Sequence, residues 1–134
     1  MIYLDSCALI KLVLEEPESE ALEAHLVEHE ETTQLSSELA TVEVLRALIR
    51  LDADAEVKTD AEALLKDYAR LPIKSSIPHA AALPGKHLRS LDALHLATAQ
   101  MLGRALTQFI TYDKRLAQAA HDAGLPVVTP GATV

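Results

Sequence analysis

A chain of 134 residues, 49% of them apolar and with a single cysteine, is long enough to bury a core without disulfide staples and reads as one domain spanning residues 1–134. No stretch approaches the roughly 20 consecutive apolar residues of a membrane span, the N-terminus starts inside a strand-like segment instead of a leader, and Cys7 has no internal disulfide partner; the expectation is a soluble, cytoplasmic protein. The formal net charge of −8 weighs against a polyanionic partner only until its distribution is considered.

Residues 15–31 hold eight glutamates and no Lys or Arg, so this segment alone accounts for the net charge. Up to residue 67 there are 17 acids against 5 bases, and beyond it 3 acids against 7 bases. Such asymmetry leaves room for a locally basic face. The glutamate run itself reads as the solvated side of an amphipathic helix.

In chain order, Ile2 to Leu4 reads as a short buried strand and Ser6 to Leu14 as a helix stopped near Pro17. A second helix covers Ser19 to His29, with Ala21, Leu22 and Leu26 on its inner side. Thr33 to Ser36 reads as a strand, and Ser36 or Ser37 as the cap of a helix running to about Leu51. Ala55 to Ala69 is helical and Leu71 to Lys74 a strand; Pro78, Pro84 and Gly85 break residues 75–89 into loops or short turns. Leu91 to Leu102 is a strongly apolar helix, Gln108 to Thr111 a strand, Lys114 to Ala123 a helix stopped at Gly124, and Pro126 to Val128 a last strand. Strands alternating with helices over short connections imply a mainly parallel central sheet covered by helices on both faces, an α/β sandwich. In such sheets ligands bind at the carboxyl ends of the strands.

Against this background four acids stand out, Asp5, Glu43, Asp92 and Asp113, each set in apolar sequence. A lone buried carboxylate is costly, so four of them point to one shared divalent cation. Asp5 and Asp113 follow predicted strands directly. An aspartate before a helix is also a favoured N-cap; for Asp113 position alone does not separate cap from ligand, whereas for Asp5 a capping argument would favour Ser6. On the helix ending near Leu51, Ala40, Val44, Leu48 and Leu51 centre the apolar stripe, with Glu43 at its edge and Glu38 about 140° away from Glu43. Glu43 is therefore the one that faces inward, the bland alternative being an exposed pair with Arg46. Asp92 shares a helix face with Leu88, His95, Leu96 and Ala99; a Ser90 cap would place it in a first turn, where the helix dipole favours a carboxylate with or without a metal. His95 is read as a packed or hydrogen-bonded core residue and not as a ligand. Cys7 is read as a small buried apolar side chain.

Four segments carry a resemblance to a known family. Leu4-Asp5-Ser6 with Ala8-Leu9-Ile10-Lys11, Val42-Glu43-Val44-Leu45-Arg46-Ala47-Leu48, Leu88-Arg89-Ser90-Leu91-Asp92-Ala93-Leu94-His95-Leu96-Ala97-Thr98-Ala99 and Thr111-Tyr112-Asp113-Lys114-Arg115-Leu116 resemble, in order and over essentially the whole chain, the PIN-domain family and especially its VapC-type toxins. The resemblance implies a three-layer α/β/α PIN-like sandwich, an acidic quartet at Asp5, Glu43, Asp92 and Asp113, and supporting hydroxyls at Ser6 and Thr111. It further implies an RNA substrate, a homodimer and a small antitoxin whose bound segment blocks the acidic pocket. Where some family members place a further acid, this chain has Lys114 and Arg115, which argues against a fully coordinated second metal.

Carboxylates alone are hard ligands suited to Mg²⁺ or Mn²⁺. The expected activity is metal-dependent hydrolysis of RNA phosphodiesters by the toxin of a toxin–antitoxin pair. Lys86, Arg89, Lys114 and Arg115 are the candidates for phosphate contact. Two further classes stay open: a non-catalytic PIN-like nucleic-acid-binding module, and a metal-dependent phosphohydrolase acting on DNA or a small phosphoester. An aspartyl-phosphate mechanism is disfavoured because Asp5 is followed by Ser6-Cys7, with no second aspartate two residues on.

Overall fold

A computed structural model describes residues 1–132; the last two residues of the expected 1–134 domain, Thr133 and Val134, lie outside the described residues. Among the described residues five strands, β1 (Ile2–Leu4), β2 (Gln34–Ser37), β3 (Ala69–Leu71), β4 (Gln108–Ile110) and β5 (Val127–Val128), form one sheet in the order β3-β2-β1-β4-β5. Every pairing is parallel, with Tyr3 beside both Leu35 and Phe109. The chain builds outward from β1 in one direction, then returns to place β4 on its other side. The strand order therefore reverses between β1 and β4, where a parallel sheet opens a crevice at its carboxyl end.

Among the described residues seven α-helices connect and cover the strands: α1 (Ser6–Lys11), α2 (Ser19–Glu28), α3 (Leu39–Arg50), α4 (Ala55–Asp67), α5 (Ile77–Ala81), α6 (Ser90–Gln100) and α7 (Lys114–Asp122). Alternation along the strands divides the core in two. Ile2, Leu4 and Ile110 point to one face and pack with Leu9, Leu22, Val44, Leu48 and Leu65 of α1 to α4. Tyr3, Leu35 and Phe109 point to the other and pack with Leu96, Leu116 and Ala120 of α6 and α7. Tyr3 and Phe109 stack on neighbouring strands, ring centres 5.4 Å apart and 5° from parallel. This is the α/β/α sandwich expected. None of these helices is long and apolar enough to cross a membrane.

The glutamate-rich segment behaves as its pattern implies: in α2, Leu22 and Leu26 are buried and Glu20, Glu23 and Glu28 exposed. Most boundaries fall within two residues of expectation, and two differ by three. The α1 helix ends at Lys11 instead of Leu14, because the Leu14 carbonyl accepts from the Ser19 hydroxyl, whose oxygen in turn accepts from Glu16 N–H. The third strand is Ala69–Leu71, not Leu71 to Lys74. Among the described residues it is an edge strand paired to β2 alone, so it need not be apolar; Ala69 and Arg70 stay exposed.

The C-terminal turn closes against α2. Gly131 has φ +81°, and a Cβ there would lie 2.6 Å from Ala21 Cβ; Gly124, at φ +83°, has open space around it. Gly124→Ala should cost about 1 kcal/mol for the left-handed backbone alone. Gly131→Ala meets the same backbone penalty and an overpacking cost of roughly 1–3 kcal/mol as well. Urea unfolding of the two variants checks this, and equal losses would remove the Ala21 contact from the account.

Candidate active site

The carboxyl ends of β1 and β4 deliver Asp5 and Asp113. Leu4 ends its strand, Asp5 remains extended (φ −79°, ψ −179°), and its carboxylate caps α1 by accepting from Ala8 N–H at 3.0 Å. Asp5, not Ser6, is thus the cap, because the helix begins one residue earlier than a serine cap would need. Asp113 repeats the arrangement at α7, accepting from Leu116 N–H at 2.9 Å. Between them the fully buried Thr111 donates to Asp5 Oδ2 and accepts from the Asp113 backbone N–H at 3.1 Å. Cap and site position coincide at both aspartates: a helix N-terminus holds each carboxylate by one oxygen.

Glu43 arrives from α3. Its Oε1 accepts from Ser6 Oγ at 2.5 Å and lies 2.6 Å from His95 Nε2. Glu38 takes a different task on the outside of the same helix, accepting from Ile73 N–H at 3.0 Å. Burial alone would raise the Glu43 carboxyl, but the hydrogen bonds and charge of His95, with Ser6, hold it below its ordinary value. Asp92 lies in the first turn of α6. The residue in the cap position there is Arg89, without a side-chain bond, so the expected Ser90 cap does not form. No hydrogen bond to the Asp92 side chain is found among the described residues. Partial burial raises its carboxyl first, and the charges of Asp113, Asp5 and Glu43 raise it further, against a lowering by His95.

All four acids line one cavity of about 380 Å³, together with Ser6, Cys7 and His95. Among the described residues no three Asp, Glu, His or Cys side chains are drawn together into a ready-made ion cage. Asp5 is also raised, by complete burial, although His95, Cys7, Thr111 and the Ala8 N–H pull it the other way. Cys7 is not the apolar filler expected: its thiol lies 3.0 Å from Asp5 Oδ1, and its sulfur accepts from Tyr112 N–H at 3.3 Å. Burial, then the Asp5 charge, push that thiol up, so it stays protonated as a donor.

Of the basic candidates, Lys86, Lys114 and Arg115 come together on a neighbouring cavity of about 590 Å³ whose lining includes Leu83, Leu88 and Leu96. Arg89 lines neither cavity. Instead Arg46 and Arg50, one and two turns from Glu43, line the acidic cavity. Sequence reasoning placed His95 correctly in the core, where it is 1% exposed, but missed that its ring nitrogens join Tyr3 Oη (2.7 Å) to Glu43. The three-residue spacing from Asp92 was the available signal for His95; Tyr3, in the middle of a strand, gave none.

A PIN-domain family model matches residues 2–122. The chain is 43% identical over 130 residues to ribonuclease VapC46 of Mycobacterium tuberculosis, covering 96% of this chain and 97% of that protein. Among solved structures it resembles VapC20 of Mycobacterium tuberculosis, described as a sarcin-ricin loop cleaving toxin (TM-score 0.76, 14% identity, 97% of this chain and 100% of that one). It also resembles a toxin–antitoxin complex from Klebsiella pneumoniae (TM-score 0.69, 23% identity, all of both chains). At those identities the two structures speak for the fold.

The Asp92 carboxyl is raised in the folded state, so between its ordinary value near 3.8 and its folded value the native protein binds more protons than the unfolded chain. Stability attributable to this group therefore falls as pH rises through that window. In the absence of divalent metal, Asp92→Asn should raise the melting temperature at pH 7 by a few degrees and leave it unchanged near pH 3. Differential scanning calorimetry at the two pH values decides; a lower melting temperature at pH 7 would contradict the repulsion.

Proposed function

Because the chain belongs to the PIN-domain family and within it to the VapC ribonucleases, we propose that it is a Mg²⁺- or Mn²⁺-dependent endoribonuclease, the toxin of a toxin–antitoxin pair. The observation that carries the reading is the convergence of Asp5, Glu43, Asp92 and Asp113 on one cavity at the strand-order reversal, with Asp92 feeling the other three as like charges. Protein-supplied compensation is slight: among the described residues, His95 is the one basic side chain within ion-pair distance of these carboxylates, at Glu43. A hard divalent cation fits such a donor set.

Asp5, Glu43, Asp92 and Asp113 would hold the ion, with Ser6 and Thr111 fixing the carboxylates from behind. When bound, Mg²⁺ or Mn²⁺ supplies positive charge against the phosphate and makes a water more acidic. Asp92, the acid without a hydrogen-bond anchor among the described residues, is the carboxylate free to orient the attacking water. Hydrolysis joins that oxygen to phosphorus, breaks one P–O bond and returns a proton to the leaving oxygen. Lys86, Lys114 and Arg115 are placed beside the acidic cavity to meet flanking phosphates, and Arg89 contributes only at longer range.

The partner is a small antitoxin, in keeping with the Klebsiella pneumoniae complex. An antitoxin arginine would find in the four carboxylates a charge-complementary seat and would exclude the ion. A homodimer completes the proposed assembly.

Purified protein incubated with total RNA should cleave it in the presence of Mg²⁺ or Mn²⁺ and not with chelator. Asp5→Asn should lower the rate by at least about a hundredfold, as losing a ligand costs no less than losing a ligand's support. Chelator-indifferent cleavage, or equal cleavage by the variant, would overturn the reading; cleavage confined to DNA would favour a different phosphohydrolase. In a thermal melt at pH 7, Mn²⁺ at about a hundredfold over its Kd should stabilise the fold by roughly 2.7 kcal/mol. That gain should shrink on acidification as the carboxylates protonate.

A further inference from the structure

The bonds to Glu43 converge on one of its two oxygens. Ser6 Oγ and His95 Nε2 both lie against Oε1, at 2.5 Å and 2.6 Å, and no partner for Oε2 is found among the described residues. An ionised carboxylate can only accept, so Nε2 carries the hydrogen of its contact. On the far side of the ring, Nδ1 lies 2.7 Å from the hydroxyl of Tyr3, and the two rings meet edge to face at 76°. Tyr3 is wholly buried; burial, then the charges of Asp5 and Glu43, keep its phenol protonated well above the ordinary range. A phenol O–H facing a ring nitrogen whose opposite nitrogen already holds hydrogen completes a chain of donors running one way, from Tyr3 through His95 to Glu43.

We propose that Tyr3 and His95 are a positioning pair: Tyr3 fixes His95 in its Nε2–H form, and His95 with Ser6 pins Glu43 by Oε1, reserving Oε2 for a divalent cation. The inference rests on the reading of the acidic quartet as a metal site. Neither residue touches substrate or reacting atoms. Without the Tyr3 hydroxyl, Nδ1 loses its donor and the alternative tautomer becomes available, which would set a bare Nε2 against a carboxylate oxygen. Two acceptors facing each other cannot satisfy one another, and the Ser6 hydroxyl, 3.1 Å from Nε2, has one hydrogen for the two of them, so Glu43 would lose a donor and turn away. Outer partners of metal ligands typically alter metal affinity by about 10- to 100-fold.

The test uses the full chain as wild type, Tyr3→Phe, His95→Gln and the double variant, with folding checked by thermal melt. Tyr3→Phe removes a single oxygen, and a glutamine at position 95 retains an N–H for Glu43 that needs no help from Tyr3. Two-bond ¹H–¹⁵N spectra of histidine-labelled protein, recorded without metal, should show His95 protonated on Nε2 and bare on Nδ1 in the wild type. Tyr3→Phe should show a mixture of the two forms. Calorimetry with Mn²⁺ should give about tenfold weaker binding for Tyr3→Phe, and adding that change to His95→Gln should weaken Mn²⁺ no further. On a single-stranded RNA oligonucleotide, the Tyr3→Phe loss should fall in kcat with KM nearly unchanged. A wild-type His95 carrying hydrogen on Nδ1, or a folded Tyr3→Phe that binds Mn²⁺ like wild type, would overturn the pair while leaving the nuclease reading intact. A wild type that neither binds Mn²⁺ nor cuts RNA would remove the metal reading and this inference together. Should His95→Gln not fold, the Tyr3→Phe spectra and calorimetry still decide.

Discussion

Mutual repulsion among four carboxylates facing one cavity is the constraint the surrounding structure has to offset. Each acid is restrained differently. Asp5 is almost fully enclosed, with helix α1, Thr111 and Cys7 all bonded to its oxygens. Asp113 spends one oxygen on the first turn of α7. Glu43 is held by a histidine and a serine, and Asp92 is left to the helix dipole. At Glu43 and Asp113 a single oxygen is anchored, which fixes the carboxylate's direction without neutralising it; Asp5 is held through both. The result is a cavity wall whose negative charge is held in direction at Asp5, Glu43 and Asp113 and left unanchored at Asp92.

The topology makes this possible at little cost in chain. Placing β1 at the centre of the sheet, between β2 and β4, puts the exits of both flanking connections beside Asp5. The Thr111 hydroxyl then bridges two loops that belong to opposite wings of the sheet. Alternation in β1 does the rest: Ile2 and Leu4 seal one core, while Tyr3 faces the other and carries its hydroxyl to His95 on α6. One three-residue strand thus serves both cores and the site.

Much of this was legible in the sequence, and the limits are physical. Short apolar strands ending in acids, the stripe that chose Glu43 over Glu38, and the glutamates of α2 all depend on local periodicity, which a single chain displays. What depends on distant packing did not show. Tyr3 and His95 are 92 positions apart, and nothing local tells a buried tyrosine that its hydroxyl will meet a ring nitrogen. The third strand was misplaced because an edge strand is held by backbone pairing and need not be apolar. A capping argument favoured Ser6 over Asp5 at α1, whereas the end of β1 at Leu4 makes Asp5 the cap and frees Ser6 for Glu43. Arg89 was grouped with Lys86, Lys114 and Arg115 as a base near the predicted strand ends, yet it lines neither cavity.

Asp5 and Thr111 are separated by 106 positions, nearly the whole chain. During synthesis Asp5 emerges 106 positions ahead of the threonine that holds it, and the fourth acid, Asp113, follows only after that threonine. Strand β1 also lacks its β4 neighbour until then, so the crevice does not exist in any shorter nascent chain. Any nascent chain that stops short of β4 therefore presents Asp5 without the hydroxyl that holds it and without Asp113.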